Sequence, residues 1–441
     1  MNDSQNVLSV VDSQPVAHVG KKSTQDAPST QGKGHYDALV LDAKLRQSLV
    51  TVRSLGRRGM RVAVSEVENL ADSVPAFSSR WCQQAFVAPS YEQSPAPYVD
   101  YLEQLLDKTQ ARVLITSSDG TLAVLRQYRE QFEQRVGIAL AKEPALAIAV
   151  NKDRTLEIAR QLGLGVPLGV HVDSVAEVPA ALHEVGLPAV VKPVESWLWG
   201  DQESDRLICQ LVTTADEAKL AVEALTHLGG SVLFQQFLSG RREAVNFLYA
   251  NGEFYARFAQ WAKRTQPPLG GTSVFRQSIA VPQDIGEQAE RLVRAIDLEG
   301  YSEVEFRRDG AGKPYLMEIN PRLSASIEVA VRAGVDFPYL LYQWASGERI
   351  DRIPGYRTGG WMRYLEGDFL TTVQSFTQRG RPGVTPPAQA LVDFLVAFFI
   401  PAGYDYIDWK DLRPGWAAIA EFARSLQRRV GKVLSPRRNS L

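Results

Sequence analysis

Two short runs of alternating apolar and acidic residues, joined by a turn, constrain this chain more than any other feature. They lie in Tyr301-Ser-Glu-Val-Glu-Phe-Arg-Arg-Asp-Gly-Ala-Gly-Lys-Pro-Tyr-Leu-Met-Glu-Ile-Asn-Pro-Arg322. Asp309-Gly310-Ala311-Gly312 is a turn signal, so the segment predicts an antiparallel hairpin. With the turn centred between Ala311 and Gly312, Glu305 falls opposite Glu318 and Glu303 opposite Asn320, while Val304, Phe306, Met317 and Ile319 share the other face. Directly opposed carboxylates destabilise a sheet unless something relieves them. Hard oxygen donors clustered in this way suit Mg²⁺ holding the phosphates of a nucleotide. The bland alternative is an edge hairpin with a solvated charged face.

A chain of 441 residues has room for about two to three domains with ample core. Lys plus Arg number 49 against 50 Asp plus Glu, so no global field favours nucleic acid or an anionic membrane. Cys82 and Cys209 are the only cysteines, too few for a disulfide framework or a zinc site, and a reduced, cytoplasmic protein is expected. The longest apolar run, Leu391 to Ile400, is interrupted by Asp393 and falls short of a membrane span. Residues 1–34 are rich in Ser, Gln, Asp and Gly; they read as a flexible tail and not as a secretory signal.

From 35 to 150 apolar strands alternate with helical patterns: Tyr36 to Ala43, Arg61 to Ser65, Arg112 to Thr116 and Val136 to Leu140 as strands, with helices after the first and from about Thr121. That rhythm predicts a parallel sheet flanked by helices. The first turn lacks a G-x-G-x-x-G, so a dinucleotide site is not expected there. Ser117-Ser118-Asp119-Gly120 marks a strand end and a helix start, where free N–H groups favour anions, although capping explains it equally well. A second unit opens at Asn151-Lys152-Asp153-Arg154. It continues through strands at 167–172, 187–193, 231–238, 243–249 and 253–260 into the hairpin. Beyond 350, Trp361 to Glu366 could complete that unit with a further strand, 378–387 reads as a loop, and 416–434 is a basic amphipathic helix. Such a helix can lie on a membrane; packing against its own domain is the favoured reading.

In order and spacing, residues 36–350 resemble the ATP-grasp ligases, the branch that includes biotin carboxylase, carbamoyl-phosphate synthetase and D-aspartate ligase-like carboxylate–amine ligases. The resemblance is strongest at Met317-Glu-Ile-Asn-Pro-Arg322, which is similar to the family's metal-binding element, with Asn151-Lys152-Asp153 and Val190-Val-Lys-Pro193 in matching order. It implies an α/β protein: a pre-ATP-grasp domain (35–150), a two-lobed α+β ATP-grasp domain (151–350, lobe hinge near 235–240) and a small C-terminal extension (351–441). It further implies that Lys152 and Lys192 touch ATP phosphates, and that Gln235, Gln236, Phe237 and Leu238 form the adenine hinge, with backbone groups of Gln236 and Leu238 facing the base. Glu243 would take the ribose hydroxyls, and Glu305, Glu318 and Asn320 would hold one or two Mg²⁺ (or Mn²⁺) ions. Arg322, with Arg276 as a second candidate, would lie beside the transferred phosphoryl group.

One stretch departs from the family pattern. The lid after the second lysine, usually rich in Gly and Ser, is Glu195-Ser-Trp-Leu-Trp-Gly-Asp-Gln-Glu-Ser-Asp-Arg206, a poor source of an N–H nest. The function implied is an ATP-dependent ligase that activates a carboxylate as an acyl phosphate, joins it to an amine and releases ADP. Bicarbonate activation, or a silent ATP-binding subunit, is the alternative. The partners implied are small-molecule carboxylate and amine substrates, with no nucleic acid and with a homodimer left open.

Overall fold

The computed structural model describes residues 34–70, 73–199, 204–268 and 270–434. The expected tail, apart from Gly34, and the middle of the expected lid lie outside the described residues. The strands Ala38–Val40, Val62–Val67, Cys82–Ala88, Val113–Ile115 and Gly137–Ile138 pair in parallel. Counted across the sheet, 82–88 is one edge and 137–138 the other, with 62–67, 38–40 and 113–115 between. Both faces are covered: Leu39 and Ala63 join one apolar core, Ala38, Val40, Val62 and Val64 another, which is why these strands read as continuous apolar runs. The strand Cys82–Ala88 and the helix Ala96–Thr109 were not anticipated. The strand's exposed positions break its apolar run, leaving Phe86 and Ala88 to face the core.

The order of strands reverses between Ala38–Val40 and Val113–Ile115, so their carboxyl ends frame a crevice of the kind that holds ligands in open α/β sheets. Asp42 leaves the first strand with φ +56°. Its carboxylate accepts from the N–H groups of Ser117 (2.7 Å) and Ser118 (2.9 Å) and from the hydroxyls of Thr116 and Thr121. The anion site considered at Ser117–Gly120 is therefore filled by the protein's own carboxylate, and the helix Asp119–Gln127 is capped by Ser118 accepting from the Thr121 N–H.

Asn151 caps the helix Lys152–Gln161 by accepting from the Arg154 N–H (3.0 Å), so Lys152 is held at a helix N-terminus. A small antiparallel sheet follows, in the order 210–212, 189–193, 232–236, 169–172, backed by the helices Val178–Val185 and Ala215–Thr226 over one apolar core. Residues 237–241 cross to a larger sheet of the strands Pro314–Asn320, Gly300–Arg308, Arg242–Ala250, Glu253–Gln266, Thr272–Ile279, Trp361–Arg363 and Ala402–Tyr404, in that spatial order. Neighbours are antiparallel except the last pair.

The segment expected as a C-terminal extension is thus woven into the large sheet through 361–363 and 402–404. Buried ion pairs fasten it further. Asp405 binds Arg276 (2.6 Å) and Arg46, Asp411 binds Arg53 (3.1 Å), and Asp368 binds both Arg363 and Arg264 (2.6 Å each). Phe422 of the final helix, Arg413–Leu434, packs on Phe369 (ring centroids 5.8 Å apart), as expected for a self-packed helix, but Trp416 and Ile419 remain exposed. Removing one partner of a buried pair strands the other charge. Arg276→Ala is therefore expected to cost about 3 kcal/mol of stability, read as a lower urea midpoint with an unchanged slope.

Candidate active site

A cleft of about 1080 Å³ is bounded by the small sheet, the large sheet and the carboxyl ends of the N-terminal strands. The hairpin expected from sequence lines its floor. Glu305 lies opposite Glu318, and Glu303 opposite Asn320, as the alternation predicts. The register then shifts between Glu305 and Phe306, and Phe306 pairs with Leu316. Leu316, not Met317, joins Val304, Phe306 and Ile319 in the core. Met317 is the extra residue of a bulge and turns to the cleft, where its Sδ lies 3.8 Å from Lys192 Nζ. A bulge re-aims side chains next to a site, and alternation alone does not disclose it.

The repulsion between the two carboxylates is relieved by a residue the sequence reading missed. Arg242 forks onto Glu305, with contacts of 2.5, 2.6 and 2.9 Å. Asn320 Nδ2 donates to the same carboxylate (3.2 Å). Burial nonetheless pushes Glu305 up to about 7, against the pull of Arg242 and with Glu318 and Glu303 adding to the rise. Glu318 is held below the usual carboxylate range: burial opposes this, but Lys152, Lys192 and Arg242 outweigh it. Glu303 points the same way and is consumed by Asn246 (3.0 Å), Gln260 (2.9 Å) and Ser326 (3.1 Å).

Lys152 Nζ is 3.8 Å from Glu318 and 2.9 Å from Ser196 Oγ. Lys192 alternates with the buried Val191 and faces the cleft, where burial lowers its pKa. Arg322 reaches across to the N-terminal domain and binds Asp119 (2.6 Å), whose carboxyl is brought down to about 2: burial opposes this and Arg322 prevails. Asp119 also meets Arg206 (3.6 Å) of the short hairpin Trp197–Trp199/Ser204–Arg206. That hairpin is docked on the N-terminal domain through Ser204, whose N–H donates to the Glu92 carbonyl (2.8 Å), and through Trp197 against Tyr91 (5.4 Å). The described parts of the expected lid are thus an antiparallel pair of short strands carrying Trp197 and Trp199, docked against Tyr91 and Glu92.

Gln235, Gln236, Phe237 and Leu238 all line the cleft. The Gln236 N–H is spent on the Leu168 carbonyl (2.9 Å), and Gln236 Oε1 accepts from the Leu168 N–H (2.9 Å). Gln235 Oε1 is buried without a partner. Two further expectations are corrected. Glu243 lies on the sheet face away from the cleft, buried between Arg308 (2.6 Å) and Arg241 (3.1 Å). One step along the strand, Arg242 takes the cleft face. Arg276 is wholly buried, shared between Asp405 and the Ser326 carbonyl (3.2 Å), and does not line the cleft.

Among the described residues no three His, Cys, Asp or Glu side chains form a metal cage by themselves. The donors present fit a hard cation that takes its remaining ligands from phosphate or water, because they are two carboxylates and an amide on neighbouring strands. Cys209 also borders the cleft, as an exposed free thiol.

Comparison with known proteins shows what the chain is similar to. Residues 231–367 match the family described as "ATP-grasp in the biosynthetic pathway with Ter operon". The D-alanine–D-alanine ligase of Saccharophagus degradans is 27% identical over 216 residues, 45% of this chain and 65% of that ligase, which is short of two thirds of its length. Among solved structures, biotin carboxylase from Campylobacter jejuni superposes with a TM-score of 0.59 at 13% identity, over 74% of each chain. The L-amino acid ligase from Bacillus licheniformis does so with a TM-score of 0.58 at 16% identity, over 75% of this chain and 80% of that one. The family match covers residues 231–367, and over about three quarters of its length the chain shares the fold of these two solved structures.

Glu305 sets a pH dependence. A metal ligand must be deprotonated, and with its carboxyl raised to about 7, Mg²⁺-dependent nucleotide affinity is expected to weaken as pH falls through that value. Titration calorimetry across this range checks the slope, and Glu305→Gln should flatten it.

Proposed function

We propose that the protein is an ATP- and Mg²⁺-dependent ligase that phosphorylates a carboxylate substrate and joins it to an amine. The observation that carries this reading is the meeting of Glu305, Glu318 and Asn320 with Lys152, Lys192 and Arg322 in one cleft beside the hinge. In this reading the unpartnered Gln235 Oε1 accepts from the amino group of the base. Lys152 and Lys192 hold phosphate oxygens as point charges. Arg242 releases Glu305, so that both carboxylates serve the cation. Bound Mg²⁺ supplies charge neutralisation at the phosphates.

Arg322, fixed by Asp119, lies between the nucleotide lobes and the N-terminal domain, where its guanidinium stabilises negative charge on the transferred phosphoryl group. A substrate carboxylate oxygen attacks the γ-phosphorus and the bond to the ADP oxygen breaks. The amine then attacks the acyl carbon, losing a proton, and phosphate departs. Positioning and electrostatics are what these residues contribute. The domain division proposed from sequence fits this scheme, with the C-terminal segment counted as part of the large sheet.

The test is nucleotide product analysis over paired amino acids, dipeptides and small carboxylates, with Glu318→Gln as the blank. ADP and phosphate in a one-to-one ratio are expected, with turnover lowered at least about a hundredfold in the variant. AMP with pyrophosphate would contradict the reading.

A further inference from the structure

Among the described residues, exposed apolar side chains are concentrated in one stretch of the chain. Most of the large ones among the described residues lie between 365 and 419, including every exposed Phe and Trp. Isolated surface apolars are ordinary; a contiguous cluster marks an interaction surface. The cluster is built on a fixed base. Phe369, on the helix Leu365–Thr377, packs edge-on against Phe394 of the helix Pro387–Val396 (6.2 Å) and against Phe422 of the last helix (5.8 Å). Beneath them Arg363, wholly buried and paired with Asp368, stacks under Phe394 and Phe398. The outer surface of this layer carries Phe376, Leu395 and Val396; Phe399 lies in the loop before the strand Ala402–Tyr404 and Trp409 in the loop after it, each 87% exposed.

Charge distinguishes what this surface fits. The carboxylates of Asp405, Asp408 and Asp411 turn inward onto Arg276, Arg57 and Arg53, and so cancel charges of the body and not of the rim. Among the described side chains, Arg379, Lys410 and Arg413 remain outside, with Arg424 paired to Glu421 (3.4 Å), against Asp393. A two-fold contact between copies would set this basic rim against itself. A surface bearing negative headgroups gains from both the apolar tips and the rim.

We propose that this three-helix layer docks on a lipid bilayer with anionic headgroups, Phe399 and Trp409 entering the interface and the basic rim meeting lipid phosphates. Trp is suited to that position because its ring is apolar and its N–H stays wet. Ala418, Glu421 and Ser425 of the last helix also border the cleft, so docking brings the mouth of the cleft next to the membrane, and a substrate is taken up from the bilayer surface.

The test is flotation of the full chain with vesicles of phosphatidylcholine alone or mixed with phosphatidylglycerol. Binding to the mixed vesicles is expected to exceed binding to the neutral ones and to weaken with added salt. Phe399→Glu and Trp409→Glu should each weaken it about tenfold while leaving MgADP binding unchanged, which shows that the variants are folded. The proposal is overturned if the intact protein floats with neither vesicle, if both substitutions leave flotation unchanged, or if light scattering shows a dimer that the substitutions split without vesicle binding.

Discussion

Glu305 and Glu318 face each other across adjacent strands, and the rest of the cleft is arranged around that opposition. Directly opposed residues sit with Cβ atoms about 5 Å apart, and two unit charges at that separation repel by roughly 3 kcal/mol at an effective dielectric near 20. The chain answers with cations from separate elements: Arg242 from the neighbouring strand, Lys152 from a helix start, Lys192 from the small sheet. Their effect is uneven. Glu318 is held below the usual carboxylate range while Glu305 is raised to about 7 by burial, against the pull of Arg242.

A second set of buried charges decides where the C-terminal segment sits. Arg53, Arg276 and Arg363 are almost completely buried, and each is satisfied by a carboxylate or carbonyl supplied from beyond residue 360. Such pairs contribute little net stability, but breaking one is costly, so they select this arrangement over looser ones. They hold the helices Leu365–Thr377 and Arg413–Leu434 against the cleft, and the same anchoring leaves the aromatic layer facing outward. The cleft and the exposed surface are therefore held in one fixed relation by the same pairs.

The hairpin register, the start of a second unit at Asn151 and the strand that carries Lys192 were legible because each rests on local rules: alternation, turn chemistry and periodicity. What was hidden depends on contacts distant in sequence. Arg276 reads as an open cation until Asp405, 129 residues away, comes to lie beside it. Glu243 and Arg242 are adjacent, and a one-residue difference in strand phase exchanges which of them faces the cleft; no pattern in Arg241-Arg242-Glu243 fixes that phase. Met317 was misassigned for a related reason, since a bulge suspends alternation for one residue. The Asp119–Arg322 link joins the helix after the N-terminal parallel sheet to the end of the hairpin, and the only local signal was an acidic residue at a helix start, which capping accounts for as well.

The central claim is that the facing carboxylates share one cation that also holds a nucleotide. It is tested most directly by crystals grown with Mn²⁺ and a non-hydrolysable ATP analogue, using the anomalous signal to place the metal. The account predicts a peak between the Glu305 and Glu318 carboxylates, bonded to both and to phosphate oxygens, with Arg242 withdrawn from Glu305. A nucleotide bound in the cleft with its metal elsewhere, and Arg242 still clasping Glu305, would contradict it.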